Sequence, residues 1–241
     1  WQATPGKVVD LVRNLGIAAG GTVMEDCRVL EACREGKYTS VLVQTHDKKY
    51  VEYRTEHFVN ALGSGAGKLC DSMGIDAGLY PVRHQAFITR RLPMLGKHGT
   101  NLDMLIDRQD YKGFSAVYGQ QIAYTGQIIG CASPKLDAMR IDKNLKVNTK
   151  AFLEIVSEMF SEWIPDLAGV GIQAVWAGYY TEPRYIVDPE LGLFVGMRGH
   201  GFMLSQYIAR MYVDKLLGRP VPEYFEKLKL NGPGLSEKAF K

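Results

Sequence analysis

The chain has 241 residues, of which 46% are hydrophobic and 23% are charged, and its formal net charge is +3. This composition is ordinary for a globular protein of one or two domains. The positive charge is too small and too scattered to indicate a nucleic-acid-binding surface. No apolar run approaches the ~18 residues that a transmembrane helix needs. The four widely spaced cysteines, without a C-x-x-C pair, fit reduced thiols of a cytoplasmic protein better than disulfides or a zinc site.

The first part of the chain predicts a helix followed by a small antiparallel ribbon. Thr4 and Pro5 are typical of a helix start, and the apolar residues Val8, Val9, Val12 and Leu15 mark one helical face. Alternation of apolar and polar residues then predicts four short strands. They cover residues 22–24, 28–32, 38–45 and 49–54, with a hairpin turn at Asp47 and Lys48.

A glycine-rich segment follows the ribbon. Residues 58–62 predict a buried strand, three glycines between Gly63 and Gly67 predict a turn, and residues 69–73 predict a helix. The segment is not a Walker A phosphate loop, because leucines stand at the positions that require glycine and Ser or Thr. We interpret it as an edge at which the backbone approaches a ligand.

The middle of the chain predicts consecutive antiparallel strands, at residues 85–89, 102–106, 113–118 and 122–129. Arg108, Tyr111 and Tyr118 either face a ligand above this sheet or occupy ordinary surface and core positions. Residues 150–163 predict an amphipathic helix that Asn148 or Thr149 caps. The apolar stripe of this helix is interpreted as core: Phe152, Ile155, Val156, Met159, Phe160 and Trp163.

The segment from Gly192 to Leu217 organises the rest of the chain. It predicts a short apolar strand (Leu193, Phe194, Val195), a turn that contains three glycines, and a long helix. Glycine lets the backbone approach a ligand closely, and the free amides at a helix start attract negative charge. The unit therefore predicts a cradle for an electron-rich ligand, with a tight connection that binds nothing as the alternative.

Several motifs together resemble one family. The strand, the G-x-x-G-H-G-F turn at 196–202 and the long helix resemble the closing motif of the FAD-dependent amine oxidoreductases. This family includes D-amino-acid, sarcosine and glycine oxidases and dye-linked L-proline dehydrogenases. V-N-A-x-G at 59–63 resembles the family segment at the FAD diphosphate, and the run at 80–85 resembles its entry into the substrate domain. W-A-G at 176–178 resembles the family strand that precedes a T-P-D-G turn.

The resemblance implies an α/β (α+β) fold: the remainder of a Rossmann-like FAD-binding domain plus a substrate domain with a mainly antiparallel sheet. The expected boundaries are 1–79 for the later part of the FAD-binding domain, 80–178 for the substrate domain, and 179–241 for the return to the FAD-binding domain. The family's opening strand and G-x-G-x-x-G are missing. We therefore expect a glycine-rich N-terminal half on a longer polypeptide or a partner subunit, and an oligomer is compatible with the sequence.

The resemblance also implies site residues. The expected contacts to FAD are Val29, Asn60, Ala61, Gly63, Gly178, Gly196, Gly199, His200, Gly201, Phe202 and Met203. The cofactor is expected to be non-covalent, because Ala177 stands where some members carry the cysteine that links flavin. Arg198 is the candidate for a substrate carboxylate, with Tyr179 and Tyr180 beside it, and a solvated turn arginine is the alternative. His200 is either a base or a spacer of the turn, and the family pattern favours the spacer.

The reaction that this family implies is oxidation of an amine or imino acid, with hydride transfer from the carbon that bears nitrogen to flavin. Sarcosine, glycine, a D-amino acid and L-proline are the expected types of substrate. Two other interpretations stay open. The chain could be a structural or partner subunit, or a fragment, that keeps the fold without the chemistry, or it could belong to a flavin-dependent 2-hydroxy-acid dehydrogenase.

Overall fold

A computed structural model describes residues 3–95, 102–108, 114–122, 125–134, 145, 149–165 and 168–235. Its α-helices are α1 (Pro5–Ala18), α2 (Ala66–Ser72), α3 (Thr149–Trp163) and α4 (Gly201–Leu216). Its strands are β1 (Arg28–Glu35), β2 (Tyr38–Gln44), β3 (Tyr50–Thr55), β4 (Tyr80–Thr89), β5 (Leu105–Asp107), β6 (Phe114–Ile122), β7 (Gln127–Pro134), β8 (Ile172–Glu182), β9 (Ile186–Asp188) and β10 (Leu193–Val195). This mixture of helices and sheets confirms the α/β (α+β) class.

The chain forms two compact units. The first contains Trp1–Leu79 and Pro183–Lys241, and the second contains Tyr80–Glu182. In the first unit, β1, β2 and β3 form an antiparallel sheet in that order, and β9 pairs with β10 in a separate two-stranded sheet. In the second unit, five antiparallel strands follow the order β5-β6-β7-β4-β8.

Helix α1 begins with Pro5 in its first turn, as predicted, and none of its residues is buried. The apolar side chains of Val9, Val12 and Leu15 are 60%, 41% and 61% exposed. An amphipathic helix is normally stabilised by packing of its apolar face rather than by propensity alone. The described part of the chain therefore leaves this face largely uncovered.

The three-stranded sheet packs one face on α2, through a buried cluster of Ala32, Val41, Val43 and Leu69. The predicted hairpin is confirmed: Lys48 adopts a positive φ of 64°, and the Thr45 amide donates to the Lys49 carbonyl. Two predicted strands are wrong. Residues 22–24 are irregular, and residues 58–62 contribute only an isolated bridge at Asn60. A strand exists only where a neighbour satisfies its backbone groups, which alternation alone does not reveal.

Helix α3 covers one face of the five-stranded sheet. Its predicted apolar stripe is confirmed as core, because Phe152, Ile155 and Met159 are at most 2% exposed and pack in one cluster with Phe87 and Val117 of the sheet. The predicted cap Asn148, as well as Tyr111, lies outside the described residues. We call the sheet surface that packs on α3 the helix-covered face and the opposite surface the open face.

The segment after α4 is rich in charged residues but contributes to the core of the first unit. A 3₁₀ turn at Glu223–Leu228 buries Phe225 and Leu228, at 0% and 1% exposed, against Met211 and Tyr212 of α4. Charged residues separate these two apolar positions, so their burial could not be read from the composition. The guanidinium of Arg184 donates hydrogen bonds to the Leu230 and Gly232 carbonyls, which ties the following residues to the same unit.

Replacing Phe225 with leucine is expected to lower the free energy of unfolding by about 1 to 2 kcal/mol, because part of a fully buried ring is lost and the cluster closes only in part. Urea unfolding followed by circular dichroism measures this change. The exposed Lys227, in the same turn, gives the control Lys227→Ala, for which a change within about 0.5 kcal/mol is expected. Equal losses in the two variants would contradict this view of the segment.

Candidate functional site

The turn between β10 and α4 has the conformation that its glycines predict. Gly196 has a φ of +71°, and a Cβ at this position would overlap the carbonyl oxygen of Arg184. A Cβ on Gly201 would lie 2.8 Å from the Cβ of Met197. Gly199 lies in the short 3₁₀ turn Arg198–His200 that leads into α4. Gly196 and Gly201 are therefore required by close packing of the turn itself.

The amino end of α4 is available to a ligand. The helix is 16 residues long, and no described side chain caps its start at His200. The first amides of a helix have no partner within it and carry partial positive charge. Phe202 and Met203, in this first turn, are 46% and 66% exposed. This end can therefore hold an electron-rich group beside an apolar surface.

A parallel backbone bridge places the glycine-rich segment at residues 58–67 next to this turn. Asn60 forms a parallel bridge with Leu193. The Asn60 amide donates to the Gly192 carbonyl at 2.7 Å, and the Phe194 amide donates to the Asn60 carbonyl at 3.0 Å. Because the two backbones run in the same direction, the segments that follow them leave at the same edge. The exposed Ala61–Gly63 segment and the turn at Gly196 therefore emerge side by side.

The side chain of Asn60 holds this edge together. It is 1% exposed, and its Nδ2 donates to the Ala66 carbonyl at 3.0 Å and to the Cys70 sulfur at 3.4 Å. Its Oδ1 accepts from the Leu62 amide at 3.3 Å. Since its backbone and side chain are both engaged within the unit, Asn60 positions the edge. The free surface for a ligand belongs to the residues that follow it.

His200 is fixed by a partner that sequence reasoning missed. Its Nδ1 lies 2.8 Å from the hydroxyl of Tyr185, which is 5% exposed. This bond supports the interpretation of His200 as a spacer of the turn rather than as a base. Arg198 is half-buried and adopts a φ of 49°, an uncommon conformation for a residue other than glycine.

In the second unit, strand register brings four polar residues to the open face. His84 and Tyr180 lie on β4 and β8, where Val82 pairs with Tyr180 and His84 with Gly178. Cys131 pairs with Ala86 of β4 and with Tyr118 of β6. Side chains of directly paired residues share a face, and alternate residues along a strand return to it. We call His84, Tyr118, Cys131 and Tyr180 the open-face cluster.

The open-face cluster is uncharged at neutral pH. The rings of His84 and Tyr180 stack with centroids 3.9 Å apart, and Tyr118 is hydrogen-bonded to both Tyr180 and Cys131. Burial lowers the pKa of His84 from 6.5 to about 4. Burial also raises the pKa of Tyr118, of Tyr180 and of the Cys131 thiol, so all three keep their protons.

The predicted residues of β8 divide between the two faces. Tyr180 belongs to the open face, whereas Tyr179 pairs with Arg83 and lies on the helix-covered face. Of the two tyrosines that were predicted beside Arg198, only Tyr180 therefore lies on the open face. Gly178 lies on the open face directly opposite His84, and a Cβ built there meets nothing within 4 Å. This position leaves room above the sheet.

The remaining predicted positions lie in the first unit. Val29 is on β1, the edge strand of its sheet, where it pairs with Val43 and is half-buried. Arg198 also belongs to this unit, whereas Tyr179 and Tyr180 belong to the other. Sequence reasoning missed His84 and Cys131 entirely. Alternation along each strand shows which residues share a face with Tyr180 or with Tyr118. Placing His84 and Cys131 on that same face also requires the pairing register between the strands, which the sequence does not give.

His84 is expected to make the fold less stable in acid. Because its pKa falls from 6.5 to about 4 on folding, the unfolded chain binds a proton between these values that the folded chain does not. The contribution of neutral His84 to the free energy of unfolding is therefore fully present above pH 7. It is lost as the pH falls, so that the free energy of unfolding is lower by roughly 1 to 2 kcal/mol at pH 5. Urea unfolding of the wild type and of His84→Phe at pH 7 and pH 5 measures the difference. A difference that does not change with pH would contradict this expectation.

No three His, Cys, Asp or Glu side chains in the described residues are arranged to hold a metal ion. Helices long and apolar enough to cross a bilayer are also absent from the described part of the chain.

Known proteins resemble this architecture. Glycine oxidase from Geobacillus kaustophilus superimposes with a TM-score of 0.68 at 18% identity, over 89% of this chain and 54% of that one. L-proline dehydrogenase from P. horikoshii gives 0.67 at 25% identity, over 89% and 55%. Iminodiacetate oxidase from Chelativorans sp. BNC1 gives 0.67 at 15% identity, over 92% and 57%. The chain thus spans a little over half the length of these proteins.

No curated protein sequence matches the chain. The sequence model of one family, described as FAD dependent oxidoreductase, matches residues 1–215. This match covers most of the chain, and it agrees with the motifs around Gly196 and Asn60 and with the structural likenesses. The chain therefore belongs to the FAD dependent oxidoreductase family.

Proposed function

We propose that this chain is the C-terminal half of an enzyme that oxidises an amine or imino acid with a bound FAD. The parallel bridge between Asn60 and Leu193 carries the proposal, because it brings two glycine-rich turns to one edge of the first unit. The similar proteins named above support the substrate class, since glycine, L-proline and iminodiacetate all carry an amino or imino nitrogen next to a carbon that bears a carboxylate.

The residues of the first unit fit a flavin. The Ala61–Gly63 segment and the turn from Gly196 to Gly201 offer backbone without bulky side chains, and the uncapped start of α4 offers amides for electron-rich ring atoms. Phe202 and Met203 offer exposed apolar surface beside these amides. A bound flavin supplies an acceptor for two electrons and a proton. Residues of the first unit would orient that acceptor, and the amides at the start of α4 would stabilise negative charge on it.

The open-face cluster in the second unit suits an amine in its free-base form. Burial keeps His84, Tyr118 and Cys131 uncharged, so none of these side chains offers an ammonium ion a negative partner. Oxidation at the carbon next to nitrogen requires the nitrogen lone pair, so the lack of an anionic partner for the ammonium form favours the reactive species. Arg198 stays a candidate for a substrate carboxylate, and Tyr180 stays a candidate contact.

A second polypeptide segment or subunit is part of the proposal. The chain spans a little over half of its structural relatives, and α1 exposes its apolar residues Val9, Val12 and Leu15. A glycine-rich half that binds the FAD diphosphate would supply both the missing length and a cover for this helix. We further propose a non-covalent flavin, because Ala177 has no nucleophile, and a reducing cytoplasmic location, because all four cysteines are free thiols.

Anaerobic flavin reduction tests this function. The protein is purified together with the glycine-rich half, its flavin absorbance is recorded, and L-proline, sarcosine, glycine and D-alanine are added in turn. We expect one flavin per chain and bleaching by at least one of these amino acids, but not by lactate. Bleaching by lactate alone would identify a hydroxy-acid dehydrogenase. Persistent absence of flavin would identify a non-catalytic subunit.

A further inference from the structure

His84 has a polar atom without a hydrogen-bond partner among the described residues. Its Nδ1 is buried and unpaired there, and its ring stacks on the ring of Tyr180. Buried polar atoms in native proteins are nearly always paired, so an orphan nitrogen restricts where the ring can carry its proton. A ligand cannot reach the enclosed Nδ1, but His84 lies on the open face, opposite the empty space above Gly178, where its other nitrogen is open to a ligand.

The orphan nitrogen also indicates which tautomer the ring adopts. A neutral imidazole carries one N–H and one lone pair. An enclosed N–H without an acceptor is less tolerated than an enclosed lone pair, so Nδ1 is the atom without the proton. The proton then resides on Nε2, which is neither enclosed nor bonded to a described residue. His84 therefore presents a hydrogen-bond donor, next to the hydroxyl-bearing ring of Tyr180.

We propose that His84 is a substrate-positioning residue, whose Nε2–H donates a hydrogen bond to the carboxylate of an amino- or imino-acid substrate. This inference rests on the proposed function. A carboxylate is an acceptor with four lone-pair sites, so it can also accept from the Tyr180 hydroxyl. The amine nitrogen is a poorer match, because a donor aimed at its lone pair would oppose the oxidation. The absence of a formal charge on His84 makes recognition depend on hydrogen-bond geometry rather than on ion pairing.

The kinetic test uses two variants of His84 in the flavin-loaded protein. His84→Phe keeps a ring against Tyr180 but removes the donor, whereas His84→Gln keeps an N–H near the position of Nε2. Each is assayed with L-proline and with pyrrolidine, which lacks the carboxylate. We expect kcat/KM for L-proline to fall about tenfold or more in His84→Phe, mainly through KM, and to recover to within about threefold of wild type in His84→Gln.

Pyrrolidine oxidation should be nearly the same in all these proteins. The exposed His46 gives the matched control, and His46→Phe should leave both substrates unaffected. If another amino acid reduces the flavin better than L-proline, that amino acid and its decarboxylated amine replace the pair. A His84→Phe protein that keeps the wild-type preference for the acid over the amine would overturn the proposal.

A spectroscopic readout is independent of turnover. In wild-type protein labelled with ¹⁵N-histidine, L-proline is expected to shift the His84 Nε2 signal and to raise the pKa of this ring above about 4, because a carboxylate favours the imidazolium. Pyrrolidine should do neither. If L-proline changes neither the chemical shift of His84 Nε2 nor the pKa of the ring, the inference is overturned. Failure of every amine to reduce the wild-type flavin would instead overturn the proposed function, and the ¹⁵N titration would still decide whether His84 binds a carboxylate.

Discussion

Replacing Gly196 with alanine is expected to destabilise the first unit by about 2 to 4 kcal/mol. A left-handed conformation costs an alanine roughly 1 kcal/mol, and overpacking against neighbouring atoms costs a further 1 to 3 kcal/mol. Both costs apply here, because Gly196 has a φ of +71° and its Cβ would overlap the Arg184 carbonyl. That oxygen belongs to the backbone and cannot rotate away. Urea unfolding with tryptophan fluorescence measures the loss.

Gly218 provides the control for this experiment. Its φ is +68°, close to that of Gly196, but a Cβ there meets no atom within 4 Å. Gly218→Ala should therefore cost only the conformational part, about 1 kcal/mol. Equal losses in the two variants would show that backbone conformation, and not contact with Arg184, accounts for the glycine at 196.

Replacing Gly178 with valine is expected to weaken ligand binding by about 10- to 100-fold while the fold is kept. The strand position is exposed, open space lies above it, and valine is favoured over glycine in strands. The thermal midpoint should therefore stay the same or rise. The flavin content of the purified protein, the Kd for FAD and the KM for the amino acid are measured together, and at least one of the binding constants should worsen.

Ala174→Val is the matched control, because Ala174 is exposed and lies on the same face of the same strand, at the other end of β8. It should leave both binding constants unchanged. If Gly178→Val binds FAD and substrate as well as the wild type does, then the space above Gly178 is not part of a ligand site.

The elements around the central turn could be predicted because each has a strong local signal. The apolar run Leu193–Val195, the glycines and the 16 residues of α4 specify strand, turn and helix without reference to the rest of the chain. The apolar stripe of α3 is equally local, because its period alone defines the buried face. The hairpin at Lys48 follows from its turn chemistry and the flanking alternation.

Features that depend on distant partners could not be predicted. Residues 22–24 alternate like a strand but pair with no strand in the described part of the chain, and Asn60 pairs at a single position with Leu193. The roles of Asn60 and Tyr185 depend on hydrogen bonds to Ala66 and His200, which no spacing rule reveals. A lone histidine within a strand carries no sequence signal of its own. Register places it beside Tyr180 on the open face.

We propose that the segments after Asn60 and after β10 together form the edge that contacts a flavin. Hydrogen–deuterium exchange of the protein, purified with its glycine-rich half and measured with and without FAD, tests this claim most directly. We predict that FAD slows exchange of the backbone amides at 61–65 and at 197–203 in parallel, with the same dependence on FAD concentration. Protection of only one segment, or of neither while FAD is bound, would contradict the claim.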